Sequence, residues 1–580
     1  MNIRLPFLYQ FLCTALFSLF LIGNLSAQTL NKMRFSVTSF SYLQAAFLGE
    51  GDEVNVDVAD RGIWVSDVGF NIDPSKSTAL TLIMRGAQSF RSNDILTAIR
   101  FRQMLFNGLI GKNFLYSVGG FDYEMTPFTL YATEEDGLFG ANNFIKYHQK
   151  ISRYNAQYFG NQRRLRGFKI NYKKDFKRIP AFDHINVEAF FTRMRSSINA
   201  NARLTNQLAA GGRIKLQQSK KLKVNINNTN FFTIPTAVTE RLISNNLYGA
   251  DFDVNLSAGI WNYGFNGELS LSQLSYKNDV SAPGLRRDYA INLGFRIGTS
   301  KETFKAGATY LNVGPQFYSI MAQSRTVNLG NRLYFFRVIN NARITRRVSI
   351  LDLGIDANIY FPTLSESLMR YDPRYANTLP YGLSTPNRNT IIFNVEAKDY
   401  LEKVKVKSRT TSSKEISSLT FSNKKSFLLT QLDLDVNVHN ILQWSKVIQL
   451  SFGGQYEKTT RNDGENGGEA VELKTMISSV GVDIEFIKRL HFVMGSLYLT
   501  SNGNERLYEY DNFNNVVELN PTNELIDESQ SVFNTGIEYR VNENTYLMVN
   551  YLQFRYADNT FTDNNTHKMN MLSILFNVNL

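Results

Sequence analysis

Along much of this chain apolar and polar residues alternate one by one, the period of a strand with one apolar face. Over residues 263–274, Tyr263, Phe265, Leu269 and Leu271 alternate with Asn266, Glu268, Ser270 and Ser272. Residues 289–297 set Tyr289, Ile291, Leu293, Phe295 and Ile297 against Asn292, Gly294 and Arg296. In the same way 351–359 alternates Leu351, Leu353, Ile355, Ala357 and Ile359 with Asp352, Gly354, Asp356 and Asn358. Residues 430–438 set Leu432, Leu434, Val436 and Val438 against Gln431, Asp433, Asp435 and Asn437, and 533–541 set Phe533, Ile537, Tyr539 and Val541 against Asn534, Glu538 and Arg540. Helical spacing fits none of these segments.

A soluble β-sandwich alternates in the same way, so the links between strands discriminate. From about residue 176 onward short and long links take turns. Short ones fall at 219–221, 259–262, 299–302, 344–347, 401–403, 487–489 and 541–544; long polar ones fall at 234–246, 277–287, 314–332, 362–389, 410–425, 459–471, 501–529 and 558–567. A sandwich has no reason to collect its long loops at one end, whereas a membrane barrel has short periplasmic turns and long extracellular loops. The expected fold is therefore all-β, a transmembrane antiparallel β-barrel. At roughly 40 residues per hairpin with its loop, the chain allows about 22–26 strands.

The N-terminus changes the picture in one respect. Arg4 precedes an apolar run from Phe7 to Ile22 and a small polar stretch ending at Ala27, the order of a secretory signal peptide. The run is shorter than the roughly 20 apolar residues of a spanning helix. The expected organisation is a signal peptide over 1–27 cleaved near Ala27–Gln28, a segment over 28–60 without a clean pattern, and a barrel over 61–580. Residues 28–60 are either a first strand plus a loop or a short periplasmic segment. The only cysteine, Cys13, falls within the leader, so the mature chain is expected to use no disulfide, thiolate metal site or thiol nucleophile.

Mean hydropathy is −0.24 while 13% of residues are aromatic, and after residue 27 no apolar stretch approaches a spanning helix. The formal charge of +12 is scattered along the chain and interleaved with acids. That distribution argues against nucleic acid and for anionic lipid head groups or lipopolysaccharide phosphates as partners.

A barrel of this circumference encloses a wide lumen unless something fills it. Alternation already begins around 63–72 and 78–84, leaving no room for the N-terminal plug of TonB-dependent receptors. The lumen is then open, constricted by inward-folded loops, with 362–389 and 501–529 as candidates, or closed by a partner protein. Lys403, Lys405, Lys407 and Arg409 alternate with Val404 and Val406, and Asp433 and Asp435 follow on the next expected strand. These six are the lumen-facing candidates. They form either a solute-guiding track or cross-strand pairs that keep a wet lumen ordered, the second being favoured.

No catalytic set emerges. The histidines are His148, His184, His439, His491 and His567; Asp183-His184 falls in an expected turn, and no Ser/His/acid group accompanies it. Residues 463–469 (DGENGGE) hold oxygen ligands of the kind calcium prefers, but the spacing misses the EF-hand pattern, so a flexible loop is expected. Neither a cofactor nor a metal is expected.

Three stretches, 120–131 (GFDYEMTPFTLY), 307–325 (GATYLNVGPQFYSIMAQSR) and 371–388 (YDPRYANTLPYGLSTPNR), with the Asn- and Tyr-rich loops and the LSAQ leader end, resemble large porin-like outer-membrane proteins of the Bacteroidota. The alternation of Leu572, Ile574, Phe576, Val578 and Leu580 is similar to the terminal signal read by the barrel-assembly machinery, with Leu in place of the frequent Phe. The resemblance implies an outer-membrane barrel serving nutrient uptake, or assisting secretion and gliding. Two functions stay open: a porin-like uptake pore for small solutes, or a structural or secretion-linked barrel that works through a partner protein.

Overall fold

The computed structural model describes residues 34–50, 57–91, 94–130, 158–159, 162–176, 182–195, 206–218, 221–234, 242–277, 284–322, 348–355, 371–399, 401–418, 421–464, 469–507, 522–542, 545–560 and 565–579. The expected leader, 1–27, lies outside them. The strands are β1 (Arg34–Glu50), β2 (Asp57–Ser75), β3 (Thr78–Arg91), β4 (Asp94–Ile110), β5 (Phe114–Tyr123), β6 (Tyr158–Phe159), β7 (Gln162–Asp175) and β8 (His184–Arg195). There follow β9 (Asn206–Gln218), β10 (Leu222–Ile234), β11 (Leu242–Ala258), β12 (Trp261–Lys277), β13 (Arg286–Thr299), β14 (Phe304–Val313), β15 (Arg388–Lys398) and β16 (Val404–Lys414). The last are β17 (Ser426–Asn437), β18 (Ile448–Arg461), β19 (Val471–Ile487), β20 (Leu490–Leu507), β21 (Thr522–Asn542), β22 (Thr545–Asp558) and β23 (Asn565–Asn579).

All pairings are antiparallel. Each long strand pairs with its neighbours in sequence, β5 pairs directly with β7, and β1 closes the ring on β23 with Phe40 opposite Asn579 and Glu50 opposite Met569. The ring has 22 strands, and the two-residue β6 is a side rung on β7. Closure leaves no row of unpaired backbone groups, which is the condition for crossing lipid with strands. β1 reaches into the segment 28–60 that the sequence pattern leaves open.

The alternation read from the sequence sorts onto the two faces. On β12, Phe265, Leu269 and Leu271 are exposed while Glu268, Ser270 and Ser272 are buried; on β13, Tyr289, Leu293 and Phe295 are exposed while Asn292 is buried. An apolar exterior around a polar interior inverts the arrangement of a soluble protein, and it is that of a transmembrane barrel. Short links gather at the end where β2 turns into β3 (Ser75–Thr78), β11 into β12 (Ala258–Trp261) and β19 into β20 (Ile487–Leu490). The expected short links at 219–221, 259–262, 299–302, 401–403, 487–489 and 541–544 all fall at this end. One further short-side link, between β17 and β18, carries the helix α2 (Val438–Leu442), where the pattern at 430–438 suggested strand through Val438.

Three expectations are corrected. β14 pairs directly with β15, Val313 opposite Arg388, so residues 314–387 are one connection instead of two long links with a hairpin between them. Leu351, Leu353 and Ile355 do not alternate on a membrane strand; they belong to the helix α1 (Ile350–Ile355). The short link expected at 344–347 lies outside the described residues, as does the remainder of the expected strand, 356–359. The two ends of the inward loop expected over 501–529 are strand, since β20 runs to Leu507 and β21 starts at Thr522, and residues 508–521 lie outside the described residues.

Candidate functional site: the lumen

The described parts of the connection 314–387 fold back into the barrel, where side chains on the inner faces of strands hold them. α1 opens with a capping box: Ser349 Oγ donates to Asp352 Oδ2 at 2.8 Å, and Asp352 N donates to Ser349 Oγ at 3.2 Å. Helix donors that would otherwise lack partners are satisfied in this way. The next backbone donor, Ile350 N, reaches Gln530 Oε1 on β21 at 2.8 Å, and Ile350 and Leu351 bury against Leu497, Leu499, Val532, Phe554 and Tyr556 among others.

Arg374 is the deepest anchor. Its guanidinium donates to Glu528 Oε2 on β21 at 2.5 Å, to Asp372 Oδ1 at 2.8 Å and to the carbonyl of Val348 at 3.0 Å, with no exposed surface. Burial works against the charge, but the Asp372 and Glu528 carboxylates outweigh it and keep the guanidinium protonated. Tyr556 Oη and Gln530 Nε2 complete the shell of Glu528 at 3.0 Å each. A second anchor is Glu457 on β18, whose Oε1 accepts from Asn377 N at 2.9 Å, Thr378 N at 2.6 Å and Thr378 Oγ1 at 2.6 Å. Glu505 on β20 bridges Asn377 Nδ2 and Lys425 Nζ, both at 2.5 Å. Buried carboxylates that accept several donors in this manner are strong holds, because an unmade bond leaves a charge desolvated.

A second segment, 124–130, turns into the same space. Met125 N donates to Leu130 O at 2.9 Å, and Phe128 N to Glu268 Oε1 on β12 at 3.3 Å. The two segments meet edge-on at Phe128 and Phe317, with ring centroids 5.7 Å apart. The backbone at Tyr318 and Ile320 is clamped by Ser272 and Asn245 of the wall: Ser272 Oγ donates to Tyr318 O at 2.5 Å and Ile320 N donates to Asn245 Oδ1 at 3.1 Å.

Toward the short-turn end the lumen opens. On the inner faces, exposure rises from 6% at Asn292 to 57% at Arg296 on β13, and from 0% at Leu311 to 50% at Lys305 on β14. It rises likewise from 0% at Thr390 to 37% at Glu396 on β15, and from 0% at Thr411 to 39% at Lys405 on β16. The insert thus covers the wall at the long-loop end and leaves a polar vestibule at the other.

The residues singled out from the sequence lie in this vestibule, with one difference. Lys405, Lys407 and Arg409 alternate on the face of β16 that also carries buried Thr411 and Ser413. Asp435 and Asp433 stand opposite Lys405 and Lys407 on β17, and Gln431 opposite Arg409. Lys403 lies in the link before β16 instead of on the strand. Across the sheet one row reads Lys305, Glu396, Lys407, Asp433, alternating in sign as cross-strand pairing requires.

Sequence reasoning missed the anchors, whose partners lie far apart in the chain, and it missed inward cations such as Arg85 and Arg102. β4 carries a bulge between Phe101 and Gln103, so that Ile83 of β3 faces Gln103 while Arg102 is the extra residue. Arg102 turns inward and joins Arg85 on Asp67, Arg85 Nε donating to Asp67 Oδ1 at 2.6 Å. Re-aiming a side chain is a common effect of bulges. Of the histidines, His184 opens β8 and His491 pairs with Asp483 at 2.7 Å beside Arg540. At the loop 463–469, Asp463 Oδ1 accepts from Glu469 N at 2.7 Å and Glu469 Oε2 from Ser422 Oγ at 2.9 Å; residues 465–468 lie outside the described residues.

No known protein family matches the chain, and no curated protein matches it. Among solved structures it is similar to Pseudomonas aeruginosa OccK2 (OpdF), solved in complex with glucuronate, at 8% identity and a TM-score of 0.34 over 94% of this chain and 98% of that one. It is also similar to Pseudomonas aeruginosa OpdK, solved with vanillate, at 10% identity and a TM-score of 0.32 over 94% and 99%. Acinetobacter baumannii OccAB3 matches at 10% identity and a TM-score of 0.35 over 77% and 98%.

Proposed function

We propose that this chain is a porin-like channel in the outer membrane of a Gram-negative bacterium, passing small solutes through a lumen narrowed by its own insert. The observation that carries the reading is the gradient of burial along the inner faces: a plugged long-loop half and an open, charged short-turn half on the same strands. A polar, water-accessible wall inside a closed apolar exterior is the arrangement of a conduit, and no catalytic role is assigned to it. The stretches that resemble porin-like proteins of the Bacteroidota, 120–131, 307–325 and 371–388, overlap the described segments folded into the lumen, 124–130, 314–322 and 371–387, and that resemblance is the support for placing the chain with that group. On this reading the outer belt meets outer-membrane lipid and lipopolysaccharide, and the barrel-assembly machinery inserts the chain through β23.

Planar-bilayer recording of the purified barrel tests the proposal. Discrete ohmic steps support it. The second reading, a structural or secretion-linked barrel completed by a partner protein, is favoured by the 22-strand circumference, which encloses more space than side chains alone fill; a folded, inserted barrel that passes no current would support it.

A further inference from the structure

Among the described residues α2 is the helix of the short-turn end, and the two neighbouring links are tied to it. Asn440 Nδ2 donates to Leu401 O at 3.2 Å and Asn437 Nδ2 to Glu402 O at 2.5 Å on one side; Lys446 Nζ donates to Phe486 O at 2.6 Å and Val447 N to Glu485 Oε2 at 3.2 Å on the other. Three successive links become one platform. Its surface carries Leu401, Ile441, Leu442, Trp444, Phe486 and Ile487, all exposed, a grouping of large apolar side chains that a water-facing surface rarely shows.

We infer that this platform is seated in the interfacial region of the lipid leaflet on the short-turn side, with α2 lying in the head-group boundary. Two observations favour lipid. The first is continuity with the outer belt: Phe486 ends the outward row of β19 that includes exposed Met476 and Val480, and Leu401 follows the outward row of Ile391, Phe393 and Val395 on β15. The second is composition. An indole at Trp444 is accompanied by exposed Lys446, Lys488 and Arg489, and an amphipathic ring with nearby cations matches the boundary between acyl chains and anionic head groups. The platform thereby fixes the height of this sector of the ring in the bilayer.

The chain has three tryptophans, so Trp64→Phe with Trp261→Phe leaves Trp444 as the sole reporter. This protein is folded into phosphatidylglycerol-containing vesicles with or without lipid brominated close to the head group. Trp444 emission is expected to fall steeply in the brominated vesicles and to respond little to aqueous acrylamide, and adding Ile441→Asp should reverse both responses. The inference rests on the transmembrane reading of the barrel, and Phe452→Trp, on the exposed outward face of β18, in a background with Trp444→Phe added, separates the two. Quenching of that belt tryptophan by brominated lipid, with Trp444 quenched only by acrylamide, would overturn the platform alone and leave it to water or a protein partner. If neither tryptophan feels the brominated lipid, belt and platform fall together.

Discussion

Replacing Arg374 with Met tests whether the insert narrows the lumen. The guanidinium has no exposed surface and joins the insert to the wall through Glu528, to its own turn through Asp372, and to the carbonyl of Val348. Its loss leaves the buried Glu528 carboxylate and the partly buried Asp372 carboxylate without their shared cation, while Tyr556 and Gln530 still donate to Glu528. Breaking one side of a buried pair costs about 3–5 kcal/mol. The cost falls on docking of the insert, because no backbone pairing of the ring involves Arg374. At about 1.4 kcal/mol per factor of ten, the ratio of docked to undocked insert drops by about two to four powers of ten. Single-channel recording should then show larger or longer open states, and limited proteolysis should cut within 371–387, where the wild type is protected. Arg374→Lys, which keeps the charge and loses the fork, should fall between the two. If Arg374→Met kept both the conductance and the protection of the wild type, the insert would not be the constriction.

Three further outcomes are expected. Leu432→Arg, at an exposed outward site in the middle of β17, should cut assembly by about 2–4 kcal/mol, whereas Asp433→Arg on the inner face should assemble normally, as heat-modified mobility on gels would show; equal folding would mean that the faces are misassigned. Glu457→Gln weakens three charge-assisted bonds to Asn377 and Thr378, for a loss of about 1.5–3 kcal/mol. It should raise proteolytic cutting near 377 without unfolding the ring, and unchanged cutting would exclude it as an anchor. A peptide tag inserted between Asn462 and Ala470 should be labelled on intact cells and one after Asn542 should not; reversed labelling would invert the topology.

The strands were legible because lipid imposes a strict two-residue period on their outer faces, as in β12, β13 and β17. The inner faces were harder, since nothing forces them to be polar where another segment covers them. β22 buries Tyr546, Met548, Leu552 and Phe554 inward while Leu547, Val549 and Tyr551 face outward, so its alternation all but vanishes. The same covering explains the error at 351–355. A short helix packed on the wall alternates by coincidence over a few residues, and the local sign that it is a helix was the Ser349 to Asp352 capping spacing. Arg374 with Glu528, or Glu457 with Thr378, could not be read from the chain, because those partners come together only when the insert folds back through the closed ring. The bulge at Arg102 was hidden for a related reason: the extra residue shows only when Ile83 is seen to pair with Gln103.

The most direct test of the pore is chemical block from inside. With Cys13 in the expected leader and no other cysteine in the chain, Lys407→Cys and Leu432→Cys each give a mature protein with a single thiol, one on the inner face of β16 and one on the outer face of the adjacent β17. Recorded in a planar bilayer, Lys407→Cys should lose conductance stepwise when a bulky, charged methanethiosulfonate is added, while Leu432→Cys should be unaffected. Conductance that survives full modification of Lys407→Cys, or that is blocked through Leu432→Cys, would contradict a solute path along the polar inner faces.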